Sequence, residues 1–144
     1  MFEDYKTKIT LTVDWADLDL FGHVNNVAFF RYIQAARVSY CDKIGLGSLN
    51  NTELGFIVAS THCDFKMPLN YPEQITVYTR VDSVGKTSFA LSHIIGNSKQ
   101  EIVAHGKDVL VVFDYTKGEK SLINEGLIKR MSSVDQRELT NKLY

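Results

Sequence analysis

The most informative part of the sequence is Asp17-Leu-Asp19-Leu-Phe-Gly22-His23-Val-Asn25-Asn26, ten residues that hold two carboxylates, an imidazole, two amides and a glycine. A carboxylate beside a helix N-terminus makes a workable hydrolytic site, because the free backbone N–H groups there stabilise a developing oxyanion. Asp and Asn also favour turns and N-caps, so composition alone favours a turn that only caps a helix.

The residues on either side of this stretch predict a strand and then a helix. Residues 7–13 alternate polar and apolar side chains, which is typical of a half-buried strand. Residues 27–44 predict a helix, with Asn25 or Asn26 as its N-cap and Gly45 at its end. Its apolar stripe follows the helical period through Phe29, Ile33, Ala36, Tyr40 and Ile44.

The rest of the chain is predicted to be rich in strands. Candidate strands are 56–65, 75–81, 87–95 and 102–115. The tail from about residue 124 is polar with scattered leucines, so we expect a short helix and a peripheral end. One long buried helix with about five strands predicts an α+β fold, an antiparallel sheet wrapped over the helix, in a single domain over residues 1–144.

The bulk composition excludes several classes of protein. The chain has 144 residues, 44% of them hydrophobic, and a net charge of −1, so no basic field indicates nucleic acid or an anionic membrane. No secretory signal begins the chain and no apolar run reaches the roughly 20 residues that span a bilayer. Two cysteines, Cys41 and Cys63, form no disulfide framework, so a reduced cytoplasmic protein is expected.

Motifs for other chemistries are incomplete. A calcium loop counted from Asp17 would carry Phe21 and Ala28 at its fifth and twelfth positions, where oxygen ligands are needed. A P-loop ending at Lys86 would have Arg80 in place of its first glycine. The turn with Lys86 and Ser88 is compatible either with a phosphate contact of a larger ligand or with an ordinary solvated hairpin.

Nucleophilic and metal chemistry also lack support. His62 and Cys63 are neighbours on a strand and point to opposite faces, so Cys63 is interpreted as a small core residue. No Gly-x-Ser-x-Gly elbow is present, and the four histidines lack the spacing of a zinc site, so no metal is expected.

Residues 13–32 resemble thioesterases of the 4-hydroxybenzoyl-CoA thioesterase type, which belong to the hotdog-fold superfamily. The Asp-x-x-Gly-His-Val-Asn-Asn core and the helix after it carry the resemblance. It extends through Pro68, the strand near Ile75 and the turn at Lys86 to Asp114. The resemblance implies a hotdog fold and hydrolysis of acyl-CoA thioesters without a metal or organic cofactor.

Site residues follow from this resemblance position by position. The catalytic carboxylate falls on Asp19, three residues before Gly22, and Asp17 is the lesser candidate. Gly22 and His23 lie in the turn that enters the helix, and His23 orients or contacts the substrate. The backbone N–H that polarises the carbonyl falls near Asn26. Asp19 then acts as a nucleophile or as a general base for water.

Further expectations concern the substrate and the assembly. Phe21, Asn25, Lys86 and Ser88 are predicted to bind substrate, which is an acyl-CoA or an acyl carrier protein thioester. The open edges of such a sheet, and the resemblance, predict a homodimer or homotetramer in which Lys86 and Ser88 hold CoA for Asp19 of the other subunit. Two alternatives are a hotdog dehydratase or hydratase that uses His23 and Asp19, and a non-catalytic acyl-CoA-binding module.

Overall fold

A computed structural model describes residues 1–47 and 53–141. The strands are β1 (Thr7–Thr12), β2 (Leu54–Phe65), β3 (Gln74–Val84), β4 (Ser88–Gly96), β5 (Ile102–Asp114) and β6 (Glu119–Lys120). The helices are α1 (Asn26–Lys43) and α2 (Glu125–Asp135), and short 3-10 turns cover Phe2–Asp4 and Trp15–Asp17.

The strands form one antiparallel sheet in the order β1-β3-β4-β5-β2, and the two-residue β6 pairs with β5. The sheet curls around α1. The predicted α+β hotdog architecture, five strands around one long helix, is confirmed, and the structure adds β6. None of the helices in the described ranges is long and apolar enough to cross a membrane.

Helix α1 begins and ends where its flanking residues dictate. The Asn25 side chain accepts a hydrogen bond from the Val27 N–H at 2.9 Å, and Gly45 follows the helix with a φ of +81°. In between, the helix approaches β5 closely at Gly106, where a Cβ atom would lie 2.7 Å from Ile33 Cδ1. A glycine at this point of the sheet therefore allows α1 to pack against it.

A buried polar cluster joins α1 to the centre of the sheet. His93 contacts Asp108 through Nε2 and Thr79 through Nδ1, both at 2.8 Å, and Arg37 Nη1 lies 3.2 Å from the same carboxylate. Burial alone would raise the pKa of Asp108, but the hydrogen bond and charge of His93, together with the Arg37 guanidinium, hold that pKa below its usual value. The cluster fixes the helix against three strands.

The C-terminal helix α2 is part of the core, which corrects the expectation of a peripheral tail after residue 124. Leu127 is 2% exposed. At the end of the helix, the Asp135 carboxylate accepts hydrogen bonds from Tyr40 Oη at 2.9 Å and from the Val81 N–H at 2.8 Å. The helix therefore covers the end of the sheet that α1 leaves open.

Candidate active site

The candidate site is built on a tight turn between Leu18 and Val24. The Asp19 N–H donates to the carbonyl of His23 at 2.7 Å, and the Gly22 N–H donates to the carbonyl of Asp19 at 3.1 Å. Gly22 has a φ of +80°, in the left-handed region that side chains disfavour. This glycine thus lets the chain reverse within a few residues and return to the start of α1.

The Asp19 side chain is held by its own turn through one oxygen. Its Oδ1 atom accepts hydrogen bonds from the Phe21 N–H at 2.8 Å and the His23 N–H at 3.2 Å. Its Oδ2 atom has no hydrogen-bond partner within residues 1–47 and 53–141. The carboxylate is therefore oriented by the backbone, and one oxygen is left free for chemistry.

The start of helix α1 presents one free backbone donor. The Val27 N–H is capped by the Asn25 side chain, and the Ala28 N–H donates to the Asn25 carbonyl at 3.0 Å. The Asn25 N–H itself donates to the carbonyl of Asp17 at 2.8 Å. Among the described residues, nothing accepts the N–H of Asn26, the first residue of the helix. That N–H is available to a bound carbonyl oxygen.

One cavity of about 440 Å³ brings the two features together. Asp19, His23, Asn26 and Lys66 line it. Its apolar wall is formed by Val24, Phe29, Phe65, Met67 and Pro68. A volume of this size suits part of a small-molecule ligand. Three of the four predicted catalytic residues therefore share one cavity, and Gly22 shapes the turn beside it.

Two predicted substrate-binding residues, Phe21 and Asn25, lie elsewhere. The Phe21 side chain is 83% exposed and does not line the cavity, although its N–H orients Asp19. The Asn25 side chain is used as the helix cap. Their observed contacts are therefore with the protein backbone around the site.

The other two, Lys86 and Ser88, belong to the opposite end of the sheet. Ser88 pairs with Val111 of β5, whereas Lys66 at the cavity donates its N–H to Val103 of the same strand. Eight residues of extended strand separate these two points of β5, roughly 27 Å. Within a single chain Lys86 and Asp19 do not belong to one site, so a site to which two subunits contribute these residues stays a prediction.

Cys63 has the character of a core residue, as predicted. Its side chain is 9% exposed, and burial raises the pKa of its thiol to about 11. A thiol with a raised pKa is protonated at neutral pH and is a poor nucleophile. The carboxylate of Asp19 is thus the stronger candidate for the reacting group.

Asp17 has a supporting role that the sequence did not reveal. Its carboxylate accepts hydrogen bonds from Tyr32 Oη at 2.7 Å, from the Asp14 N–H at 3.1 Å and from the Arg31 guanidinium. Burial alone would raise the pKa of Asp17, but these three donors outweigh it and hold the pKa below its usual value. Asp17 therefore ties the loop before the active-site turn to the second turn of α1.

Asp17→Asn is expected to lower stability at neutral pH by about 1–3 kcal/mol, because the amide cannot replace a charged acceptor of three donors. Because the pKa of Asp17 is lower in the folded state than in the unfolded state, its ionised carboxylate stabilises the fold at pH values above the unfolded-state pKa. This stabilisation is lost as the pH falls through the folded-state pKa. Urea denaturation of the wild type and Asp17→Asn, measured from neutral to acid pH, should show that the difference in their free energies of unfolding becomes smaller as the pH falls. A difference that is independent of pH would contradict this role of the charge.

Comparison with known proteins places this chain in a family. Residues 13–131 match the family described as the thioesterase-like superfamily. The chain belongs to this family. A thioesterase from Thermus thermophilus, solved in complex with coenzyme A and Zn, is 28% identical with a TM-score of 0.85, over 95% of this chain and 99% of that one.

Two further proteins are similar to this thioesterase. The uncharacterized protein YsmA of Bacillus subtilis (strain 168) is 30% identical over 122 residues, 82% of either chain. A DHNA-CoA thioesterase from Staphylococcus aureus has the same fold, with 17% identity and a TM-score of 0.76 over 94% of this chain and 97% of that one.

The family confirms two predictions made from the sequence, the hotdog fold and the enzyme class. This chain is an enzyme that hydrolyses thioesters. In the part of the chain that the structure describes, no group of three or more His, Cys, Asp or Glu side chains is placed to hold a metal ion.

Proposed function

We propose that this thioesterase hydrolyses an acyl-CoA thioester to the free acid and CoA, with Asp19 and the N–H of Asn26 as its reacting and polarising groups. The observation that carries the proposal is that Asp19, with its unpartnered Oδ2 atom, and Asn26, with its unpartnered N–H, line the same cavity. Coenzyme A bound to the Thermus thermophilus relative supports CoA as the carrier.

The two groups have complementary roles in thioester cleavage. The thioester oxygen accepts a hydrogen bond from the Asn26 N–H, which strengthens as the oxygen becomes an oxyanion and is worth about 3–4 kcal/mol by comparison with other oxyanion holes. Asp19 Oδ2 either attacks the carbonyl carbon to form an anhydride, which water then cleaves, or takes a proton from the attacking water. In both routes the C–S bond breaks and CoA leaves as its thiolate.

His23 is proposed as a positioning and contact residue in this reaction. The N–H groups of His23 and Phe21 both donate to Asp19 Oδ1, and His23 is one of the residues that line the cavity. A thiolate is a good leaving group, so the reaction needs no strong general acid. His23 therefore orients Asp19 through the backbone and contacts the substrate through its ring.

The proposed activity is tested with a panel of acyl-CoA esters and a dye that reacts with free thiols, repeated with acyl carrier protein thioesters. We expect free CoA and free acid in equal amounts. Change at the α,β-carbons with the thioester intact would indicate a dehydratase or hydratase. Tight binding with neither product would indicate an acyl-CoA-binding module.

We also propose that the enzyme is a homodimer, or a homotetramer made of two such dimers, paired through strand β2. This strand forms one edge of the sheet, and residues 57–62 are exposed on both of its faces. Ile57 and Val58 of β2 are 43% and 37% exposed. Pairing two β2 edges would continue the sheet and cover these two apolar side chains.

Val58→Lys is expected to convert the dimer to a monomer at micromolar concentration, because a lysine on a sheet edge prevents pairing with a second edge. Light scattering measures the mass, and Leu122→Lys, at a side chain that is 60% exposed elsewhere, is the matched control. If wild type and Val58→Lys have the same mass, the pairing through β2 is wrong.

A further inference from the structure

Part of the free edge of strand β2 is already occupied by other segments of the same chain. The Gly47 N–H donates to the carbonyl of Leu54 at 3.0 Å, and Tyr115 Oη donates to the carbonyl of Phe56 at 3.1 Å. The ring of Tyr115 lies so close to β2 that a Cβ atom at Gly55 would be 2.6 Å from it. A second strand would have to displace these contacts to pair with β2 at Leu54 or Phe56.

The remaining part of this edge is open. In an antiparallel pair, residues that hydrogen-bond to the neighbouring strand alternate with residues whose backbone groups face the other way. The Tyr115 N–H donates to the carbonyl of Glu53 at 2.9 Å, and the Lys66 N–H donates to that of Val103 at 2.8 Å, which fixes this alternation at both ends of β2. Ala59 is an extra residue in the register with β5, as in a β-bulge. Beyond the occupied end, the residues that face the free edge, here called the open residues, are Val58, Thr61, Cys63 and Phe65.

The open residues form a set that can pair with itself. When a two-fold axis relates two antiparallel strands, a residue on the axis faces its own copy, and residues at equal steps on either side face each other. With the extra residue Ala59 left out, His62 is at the middle of the set. Two open residues lie one step from His62 and two lie three steps from it. An axis at His62 therefore pairs Thr61 with Cys63 of the other copy, and Val58 with Phe65 of the other copy.

Other positions of the axis leave an open residue unpaired. An axis at Thr61 would set Phe65 opposite Phe56, whose carbonyl is already occupied. An axis at Cys63 would set Val58 opposite a residue beyond the end of the strand. Axes further from the middle lose more pairs. The axis at His62 is thus the position at which every open residue meets another open residue.

This register brings the second copy to the wall of the active-site cavity. Phe65 lines the cavity of Asp19, and its ring packs edge-on against Phe29 with 5.1 Å between the ring centroids. The Phe65 side chain is 47% exposed in the single chain. Paired residues of antiparallel strands point to the same face of the sheet, so Val58 of the partner subunit would lie beside Phe65. The cavity wall is then incomplete without the second copy.

We infer that two copies of this chain pair their β2 strands in a single register, with the two-fold axis at His62 and with Val58 of each copy beside Phe65 in the cavity of the other. The inference rests on the dimer proposed above and adds which residues meet. Each His62 Nε2 atom lies 3.0 Å from Asp64 Oδ1 of its own chain, and the axis places the two imidazoles side by side.

Disulfide formation between introduced cysteines tests this register. Facing residues that are not hydrogen-bonded to each other have Cα atoms roughly 4.5 Å apart in antiparallel strands, within the range of about 4.4–6.8 Å that a disulfide spans. Under mild oxidation, most of His62→Cys should run as a covalent dimer on a gel without reductant. The His62 side chain is 68% exposed, so this substitution leaves the core unchanged.

Two matched controls have a cysteine two residues away on the same face of the strand. Ser60→Cys and Asp64→Cys should each run as single chains, because position 60 faces position 64 of the other copy. A mixture of these two variants, left to exchange subunits before oxidation, should form covalent dimers. The wild type should form none, because its Cys63 faces Thr61 of the other copy.

More covalent dimer from Ser60→Cys, from Asp64→Cys or from the wild type than from His62→Cys would overturn the inference. A dimeric mass by light scattering without the expected disulfide in His62→Cys would overturn the register and leave the dimer standing. A mass of one chain for the wild type and all three variants would overturn both. The proposed hydrolysis is judged separately, by the release of CoA.

Discussion

Asp19→Asn is expected to reduce the turnover of acyl-CoA by about 10²–10⁴-fold, the contribution typical of a positioned acid–base group. The amide oxygen can still accept hydrogen bonds from the Phe21 and His23 N–H groups, so the turn is preserved. The atom that is lost is the free Oδ2, which the amide replaces with a nitrogen that neither attacks nor accepts a proton. Steady-state CoA release, compared at equal concentrations of folded protein, measures the effect.

Asp17→Asn is the matched control, because it makes the same chemical change two residues earlier. Its carboxylate is occupied by Tyr32, Arg31 and Asp14, so its loss is expected to act on stability, with a milder effect on turnover per folded molecule. Near wild-type turnover in Asp19→Asn together with an inactive Asp17→Asn would show that the catalytic carboxylate is Asp17.

Asn26→Pro is expected to lower kcat by about 10²–10³-fold, since it removes the N–H proposed to stabilise the oxyanion. Proline suits this position structurally, because Asn26 is the first residue of α1 and its N–H has no partner among the described residues. The preceding residue, Asn25, has φ −64° and ψ 143°, a conformation that proline permits before it. The helix should therefore form as in the wild type.

Asn26→Ala separates the backbone from the side chain in this test. It keeps the N–H and removes the amide, so it should retain most of the wild-type kcat. Circular dichroism and urea denaturation establish that both variants are folded. Equal kcat values for Asn26→Pro and Asn26→Ala would show that the N–H of residue 26 is not used.

The local elements were predictable because short-range patterns specify them. The helical period from Phe29 to Ile44 and the glycine at Gly45 gave α1 within a residue or two of its bounds. The Asp-x-x-Gly-His motif placed Asp19 and Asn26 at one cavity because they are close in sequence and lie on either side of a single turn.

Long-range polar contacts were not predictable from such patterns. His93 lies on β4 and its partner Asp108 lies on β5, 15 positions further along the chain, so neither residue identifies the other in the sequence. The contact of Tyr40 with Asp135 joins residues 95 positions apart. A carboxylate such as Asp108, directly before the apolar run 109–113, is the one local sign that a buried partner exists.

Substrate contacts were the least predictable part of the site. Phe21 lies two residues from Asp19 in the sequence, yet it does not line the cavity and contributes its N–H to the turn instead. Lys66 lines the cavity although it is 47 residues from Asp19 in the sequence. It directly follows strand β2, and its N–H donates a hydrogen bond to the carbonyl of Val103. Neighbours in the fold, rather than in the sequence, form the walls of this cavity.

If the proposed reaction takes place, water cleaves the C–S bond of a thioester in the cavity of Asp19. Mass spectrometry of the products formed in ¹⁸O-labelled water over many turnovers detects this cleavage. We expect free acid that carries one labelled oxygen, in an amount equal to the CoA released, and at least about 10²-fold slower formation of both products with Asp19→Asn. Label on the acyl chain with the thioester intact, or no labelled product from a protein that binds acyl-CoA, would contradict the claim.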